Sequence, residues 1–382
     1  MKTIAEINEK IKSGKAVVVT AEEIIGIVEE KGVKKAFQEV DVVTTGTFGP
    51  MCSSGMFINF GHSTPGIRMS KVWLNDVPAF AGIAAVDAYV GVTELSEKQG
   101  MQYGGAHVIQ DFIDGKDITL FAESYGTDCY PRREIKTTIN KSNVNQAFLF
   151  NPRNCYQNYP AATNSSDRIM YTYMGTLLPS FGNVTYSTSG ELSPLLNDPE
   201  YRTIGIGTRI FLGGTQGYVA WEGTQHDPGQ ERLENGVPVS SSGTLALIGD
   251  AKKMSSKYIR AAVYEKYGVS LFVGIGIPIP ILDEDILMKT AVRNRDIYTT
   301  LVDKSGNENL NIRVSYEQLR SGFMEIRGKR VATAPLSSLK AAREIAAELK
   351  KQVSTGEFLL TEFVERLPMR KERLNRLEVR GE

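Results

Sequence analysis

Two of the chain's three cysteines stand in loops suited to reaction rather than to packing. Cys52 lies in GTFGPMCSSG, with Gly46, Gly49 and Pro50 before it and Ser53, Ser54 and Gly55 after it. Glycine lets a backbone approach a ligand closely, and successive N–H groups in such a turn cradle an anion or activate a thiol. A small cysteine tucked beneath a turn is the structural alternative, and the local residues leave both open. Cys129 follows the apolar run ITLFAES in AESYGTDCYPRRE, a strand end opening into a loop, where α/β folds place reactive groups. Arg132 and Arg133 beside it are suited to holding a carboxylate or steadying a thiolate. In an extended chain they point to opposite faces, so one at most reaches a site. Cys155, in FNPRNCYQNYP, occupies a third polar loop and reads as structural.

The histidines add one candidate. His62, in NFGHSTPGIR, shares the glycine-rich segment with Cys52 and can serve as a base or proton donor. His107 falls on an expected helix and reads as a structural residue, and His226 closes WEGTQH after a strand. A Cys–His hydrolase is one reading of this inventory, since nucleophile and base need only meet in space. No CxxC pair occurs, and three thiols do not complete the usual four-cysteine cluster site. The thiols therefore read as reagents rather than ligands, and no bound metal or cofactor is expected. GIGTRIFLGG does not match GxGxxG, and no GxxxxGK[ST] occurs.

Elements must position these groups, and composition bounds them. The 382 residues are 41% apolar, enough for a sizeable core. Forty-four basic residues balance 44 acidic ones, which argues against nucleic acid as a partner. No run of 18 apolar residues suggests a membrane span, and the charged N-terminus lacks a secretory core. Few and unpaired cysteines suit a reducing, cytoplasmic setting. Helical spacing is expected over 1–13, 21–31, 283–291 and 337–353, and GAHVIQDFIDGKD reads as a helix ended by Gly115. In SSLKAAREIAAELKKQV, Leu339, Ala342, Ile345, Ala346 and Leu349 line one face. SKYIRAAVYEKYG also reads as helical, whereas ITLFAES, REIKTTI, GTLALIGD and VSLFVGIGIPIPIL read as strands. Residues 150–200 read as a long irregular region, a length that marks function more often than filler. The expected class is α/β with α and β mixed: one large domain over 1–368, many short strands, glycine-rich loops, a helical C-terminal extension and a charged tail over 369–382.

Three stretches, GTFGPMCSSGMFINFGHSTP, YGGAHVIQDFIDGKDITLFAESYGTDCYPRRE and GIGTRIFLGGTQGYVAWEGTQH, resemble the homocysteine biosynthesis family. The resemblance runs through SSLKAAREIAAELK to FLLTEFVERLP, and it implies insertion of sulfur into L-aspartate semialdehyde to give L-homocysteine. It further implies two functional cysteines, at Cys52 and Cys129, and a separate ferredoxin-like iron–sulfur protein as reductant. Many archaeal members continue into paired CBS domains, and the resemblance is expected to cover the core domain without them. On that footing Cys52 is expected to carry sulfur as a persulfide, taken from a persulfide donor, and Cys129 to resolve it; sulfide is the other sulfur source the reaction could draw on. His62 would protonate the developing alkoxide. Arg132 or Arg133 would bind the substrate carboxylate ahead of Arg68, Arg153 and Arg209, with Ser53 and Ser54 as neighbouring contacts. A non-catalytic sulfur-relay scaffold is the alternative of another class, and a homodimer is the default assembly.

Overall fold

The computed structural model describes residues 1–370, 374, 375 and 377–379, so the expected tail over 369–382 lies partly outside the described residues. Helices and strands interleave along the chain, giving the mixed α and β class. The centre is a nine-stranded antiparallel sheet ordered Ile259–Tyr264, Gly268–Gly276, Arg209–Leu212, Thr215–Glu222, Leu245–Asp250, Gln146–Asn154, Gly55–Asn59 and Asp87–Gly91, with Thr47–Pro50 bonded to Gly268–Gly276 as a branch.

That order forces curvature. Thr47–Pro50 pairs with the second strand and Gly55–Asn59 is the seventh, five spacings further on. A flat sheet would separate those two strands by about 24 Å. Residues 51–54 alone join Thr47–Pro50 to Gly55–Asn59, and such a link reaches about 17 Å at full stretch. The sheet therefore curls, and the Cys52 loop crosses between its two halves. The Gly105–Ile113 helix contacts strands of both halves and buries Val108, Ile109, Phe112 and Ile113 among them.

A six-stranded sheet, ordered Glu308–Ser315, Tyr298–Asp303, Ala161–Thr163, Asn183–Tyr186, Lys329–Pro335 and Phe323–Ile326, carries a second core around Val184, Leu301 and Tyr316. The Leu339–Ser354 helix starts at its Ser338 cap and buries Ala342, Ile345, Ala346, Leu349 and Val353. It packs on Thr47–Pro50 and Gly268–Gly276, close enough that a Cβ on Gly46 would stand 2.2 Å from the Ala342 carbonyl oxygen. Beyond it the chain returns: Glu365–Arg366 pairs with Gly205–Ile206, and Leu367 is buried.

Two expectations are corrected. SKYIRAAVYEKYG is not a helix; Ile259–Tyr264 is a strand, paired from Ile259↔Val273 to Tyr264↔Gly268. Its β-branched and aromatic residues fit a pleated surface, and Lys266 and Gly268, at φ 51° and 130°, turn the chain. Residues 150–200 are less irregular than expected, since Ala161–Thr163, Met170–Thr172, Gly175–Leu177 and Asn183–Tyr186 are strands and Pro194–Asn197 is a helical turn. Strands of three or four residues between Asn, Ser and Pro carry too little periodicity to be read from sequence.

Candidate active site

A cavity of about 300 Å³ opens where the two sheets meet. The central sheet contributes Cys52, Ser53, Arg153, Tyr156, Tyr264 and Tyr267, and the facing layer contributes Tyr173, Met174, Ser187 and Leu336. Register explains how the first group meets. Gln146–Asn154 runs antiparallel to Gly55–Asn59, from Gln146↔Asn59 to Phe150↔Gly55. The same register continued three residues sets Arg153 opposite Cys52. The Ser53 hydroxyl donates to the Arg153 carbonyl at 3.2 Å, which fixes that approach.

Cys52 is half-buried in this wall. Tyr267 lines the cavity with it; burial first, and then the neighbouring Cys52, push the Tyr267 phenol up to about 12. Burial likewise holds Tyr264 and Tyr156 up at about 12, with smaller contributions from Cys52. These phenols therefore stay protonated near neutrality and act as donors. Arg153 makes no ion pair among the described residues, and its Nε is buried with no hydrogen-bond partner. An unsatisfied buried guanidinium group is costly unless a ligand completes it, and a carboxylate is its natural complement. Across the cavity, Tyr159 Oη donates to Tyr173 Oη at 3.2 Å, and Lys304 Nζ donates to the same Tyr173 oxygen at 2.8 Å. The Lys304 ammonium also stands 5.0 Å from the Tyr173 ring centre. Burial raises the Tyr159 phenol far above its ordinary value.

Gln225 closes one edge of the cavity from the left-handed region, at φ 62°. The buried His226 beside it accepts from Thr244 N at 3.1 Å through Nδ1 and so donates through Nε2 to the Pro368 carbonyl at 3.0 Å. Arg370 adds an ion pair to Glu222 at 3.0 Å. The C-terminal segment thereby clamps the loop that carries Gln225.

The expected site residues divide into two groups. Cys52 and Ser53 line the cavity, and Ser54 turns inward, its hydroxyl donating to the Met51 carbonyl. Cys129, His62, Arg132 and Arg133 do not line it. Cys129 is exposed at the tip of a tight turn closed by Thr127 and Tyr130, whose backbones bond each other at 2.9 and 3.1 Å. His62 stacks on Tyr130 with ring centres 6.0 Å apart. The Arg132 guanidinium donates to the Thr64 and Pro65 carbonyls, so it ties two loops together, and Arg133 packs beside Gly126. Gly55–Asn59 separates the groups: Cys52 precedes it and His62 follows it, at opposite ends of a strand about 17 Å long. Cys155 is fully buried, and burial lifts its thiol far above the ordinary range, so it stays protonated. The tyrosines and Lys304 were not singled out from sequence. The one available signal was FNPRNCYQNYP, where Arg153, Tyr156 and Tyr159 recur every three residues.

Among the described residues no cluster of three His, Cys, Asp or Glu side chains forms a metal site, and no helix is long and apolar enough to cross a membrane. A half-buried thiol and an arginine with no ion pair among the described residues thus line one cavity together with several phenols. The chain belongs to the family described as homocysteine biosynthesis enzyme, sulfur-incorporation, which matches residues 16–360. It is 55% identical over 369 residues to the L-aspartate semialdehyde sulfurtransferase of Methanosarcina acetivorans, covering 96% of this chain and 72% of that one. With the protein of the same name from Methanocaldococcus jannaschii it shares 53% over 385 residues, covering 96% and 73%. An uncharacterized Methanothermobacter thermautotrophicus protein is 28% identical over 84% of this chain and 72% of its own. No solved structure matches the chain significantly.

Proposed function

We propose that this chain converts L-aspartate semialdehyde to L-homocysteine, with Cys52 carrying the sulfur as a persulfide. The observation that carries the reading is that Cys52 and the unpaired Arg153 line one cavity. The names of the two relatives above 50% identity supply the substrate. Arg153 holds the substrate's α-carboxylate, which turns the aldehyde carbon toward residue 52. The terminal sulfur of the persulfide attacks that carbon, a C–S bond forms, and the carbonyl pair moves to oxygen. Tyr173, whose oxygen accepts from both Tyr159 and Lys304 so that its own proton is free, gives that oxygen its proton and is resupplied by the Lys304 ammonium. This assigns to the phenols the role first expected of His62.

Electron balance requires an outside donor. Replacing a carbonyl oxygen by sulfur at the thiol level consumes two electrons and two protons with sulfide and releases water. A persulfide delivers zero-valent sulfur and needs two more of each. Cleaving the S–S bond of the Cys52 adduct takes the first pair and returns the Cys52 thiol. Loss of water then gives a thioaldehyde, and the second pair reduces it to the thiol. A separate iron–sulfur protein is the proposed reductant. For Cys129 to act as the resolving thiol, its turn must move or a second copy must present it, because a disulfide needs Cα atoms within about 7 Å.

The test is reconstituted turnover with the semialdehyde, a persulfide donor and an artificial reductant. Homocysteine is expected from wild type and none from Cys52→Ser. Wild-type turnover by that variant overturns the assignment.

A further inference from the structure

The α-carboxylate of the proposed substrate has Arg153, but the α-ammonium on the same carbon has no acid to meet it. No aspartate or glutamate lines the cavity, and its other polar side chains are the neutral Ser53, Ser187, Gln225 and Ser270. What the wall supplies instead is aromatic: Tyr156, Tyr159, Tyr173, Tyr264 and Tyr267. These five rings neighbour one another in one unbroken series. The centres of Tyr156 and Tyr159 are 4.9 Å apart with planes at 78°, and those of Tyr159 and Tyr173 are 6.3 Å apart at 83°. Tyr173 and Tyr267 follow at 6.4 Å and 58°, then Tyr267 and Tyr264 at 6.4 Å and 90°. Every consecutive pair is steeply inclined, so the series turns around the cavity instead of stacking into a column.

Such an enclosure suits a cation, because the face of an aromatic ring is negative and attracts an ammonium without needing a carboxylate. Burial keeps the phenols of Tyr156, Tyr264 and Tyr267 protonated, so they present ring faces rather than phenolate charge. Among the described residues Lys304 is the one cation over a ring of the series, 5.0 Å from the Tyr173 centre, and Lys304 does not line the cavity. The Arg153 charge acts on Tyr156, and Tyr156, Tyr264 and Tyr267 all neighbour Cys52. An ammonium one carbon away from a carboxylate on Arg153 therefore falls among these three rings. We infer that the tyrosines form an ammonium cage: the faces of Tyr156, Tyr264 and Tyr267 hold the substrate's α-ammonium and select an α-amino aldehyde over its deamino analogue. The identity of the ligand rests on the sulfur-inserting reading above, and the cage itself rests on the ring geometry.

The experiment is equilibrium binding, with turnover measured beside it. The full chain is titrated calorimetrically with L-homoserine, which keeps both charges of the semialdehyde but has no carbonyl to react. It is titrated separately with 4-hydroxybutanoate, which lacks the amino group. Wild type should prefer L-homoserine. Tyr156→Leu and Tyr267→Leu should each weaken L-homoserine by about three- to thirtyfold and leave 4-hydroxybutanoate unchanged. Tyr156→Phe and Tyr267→Phe keep the ring without its hydroxyl and should retain the preference. Equal weakening of both ligands in the leucine variants reduces the rings to packing and overturns the inference. So does a loss in the phenylalanine variants as large as in the leucine ones, which assigns the ammonium to phenol oxygen, or a wild type without the preference. Tyr267 is 37% exposed on a hairpin turn, so Tyr267→Leu decides should Tyr156→Leu fail to fold. The parallel assay compares kcat/KM for L-aspartate semialdehyde and succinic semialdehyde. A wild type that binds with the preference but makes no thiol refutes the sulfur-inserting reading alone. One that turns over both aldehydes equally refutes the cage alone.

Discussion

Replacing Arg153 by methionine separates the proposed substrate contact from any structural role. The two side chains have similar reach, so the cavity wall is kept while the charge and the donors go. If Arg153 holds the α-carboxylate, the loss is that of a hydrogen-bonded charge pair, about 1.5–3 kcal/mol. At 1.36 kcal/mol per factor of ten this lowers kcat/KM for the semialdehyde by roughly 10- to 150-fold. The folded protein should not suffer. Arg153 makes no ion pair among the described residues, and its buried Nε is already unsatisfied, so the variant should melt at the wild-type temperature or above. The assay is steady-state kinetics on two aldehydes, the semialdehyde and β-aminopropanal, which has the same chain without the carboxylate. Wild type should discriminate between them by the same factor that the variant loses, and the variant should treat them alike, closing a double-mutant cycle. An equal loss on both aldehydes, or no loss on the semialdehyde, refutes the carboxylate contact.

Other outcomes follow from the same geometry. Persulfide treatment should add one sulfur to wild type in intact-mass spectrometry, removable by reductant, and none to Cys52→Ala; an undiminished adduct in that variant places the sulfur elsewhere. Tyr267→Phe deletes the hydroxyl beside the Cys52 sulfur and should slow alkylation of that thiol at neutral pH by about two- to tenfold, read by iodoacetamide labelling. Gly46→Ala would drive a methyl to 2.2 Å from Ala342 O and 3.0 Å from Ala346 N, both helix backbone, and should destabilise the fold by about 3 kcal/mol or more in urea denaturation. Burial holds His226 below its ordinary value of 6.5, so the unfolded chain takes up this proton first as pH falls. Its contribution is therefore complete above that pH and lost on acidification through and below it. His226→Gln should flatten that part of the stability–pH curve, measured by urea melts at stepped pH.

What the sequence made legible was local, and what it hid was register. The helix at 339–354 could be placed because its apolar residues repeat at helical spacing, and the Gly105–Ile113 helix because Gly115, at φ 76°, stops it. Cys52 stood out because glycines and serines flank it. Its partner could not be found by proximity along the chain. His62 is ten residues away, yet those residues include a five-residue strand that carries it to the other end of the sheet. Arg153 is distant in sequence, yet the antiparallel pairing of Gln146–Asn154 with Gly55–Asn59 sets it across from Cys52. Tyr264 and Tyr267 were hidden by a wrong period: SKYIRAAVYEKYG carries Ala, Glu and Lys enough for a helix, but pairing with Gly268–Gly276 outweighs that weak preference. The same pairing accounts for why Cys52 has phenols around it. Gly268–Gly276 binds Thr47–Pro50 along one edge and Ile259–Tyr264 along the other, so the loop bearing the thiol and the hairpin bearing both tyrosines hang from one strand. A substitution that slips this strand by one residue would turn its side chains to the opposite faces, and thiol and phenols would part together.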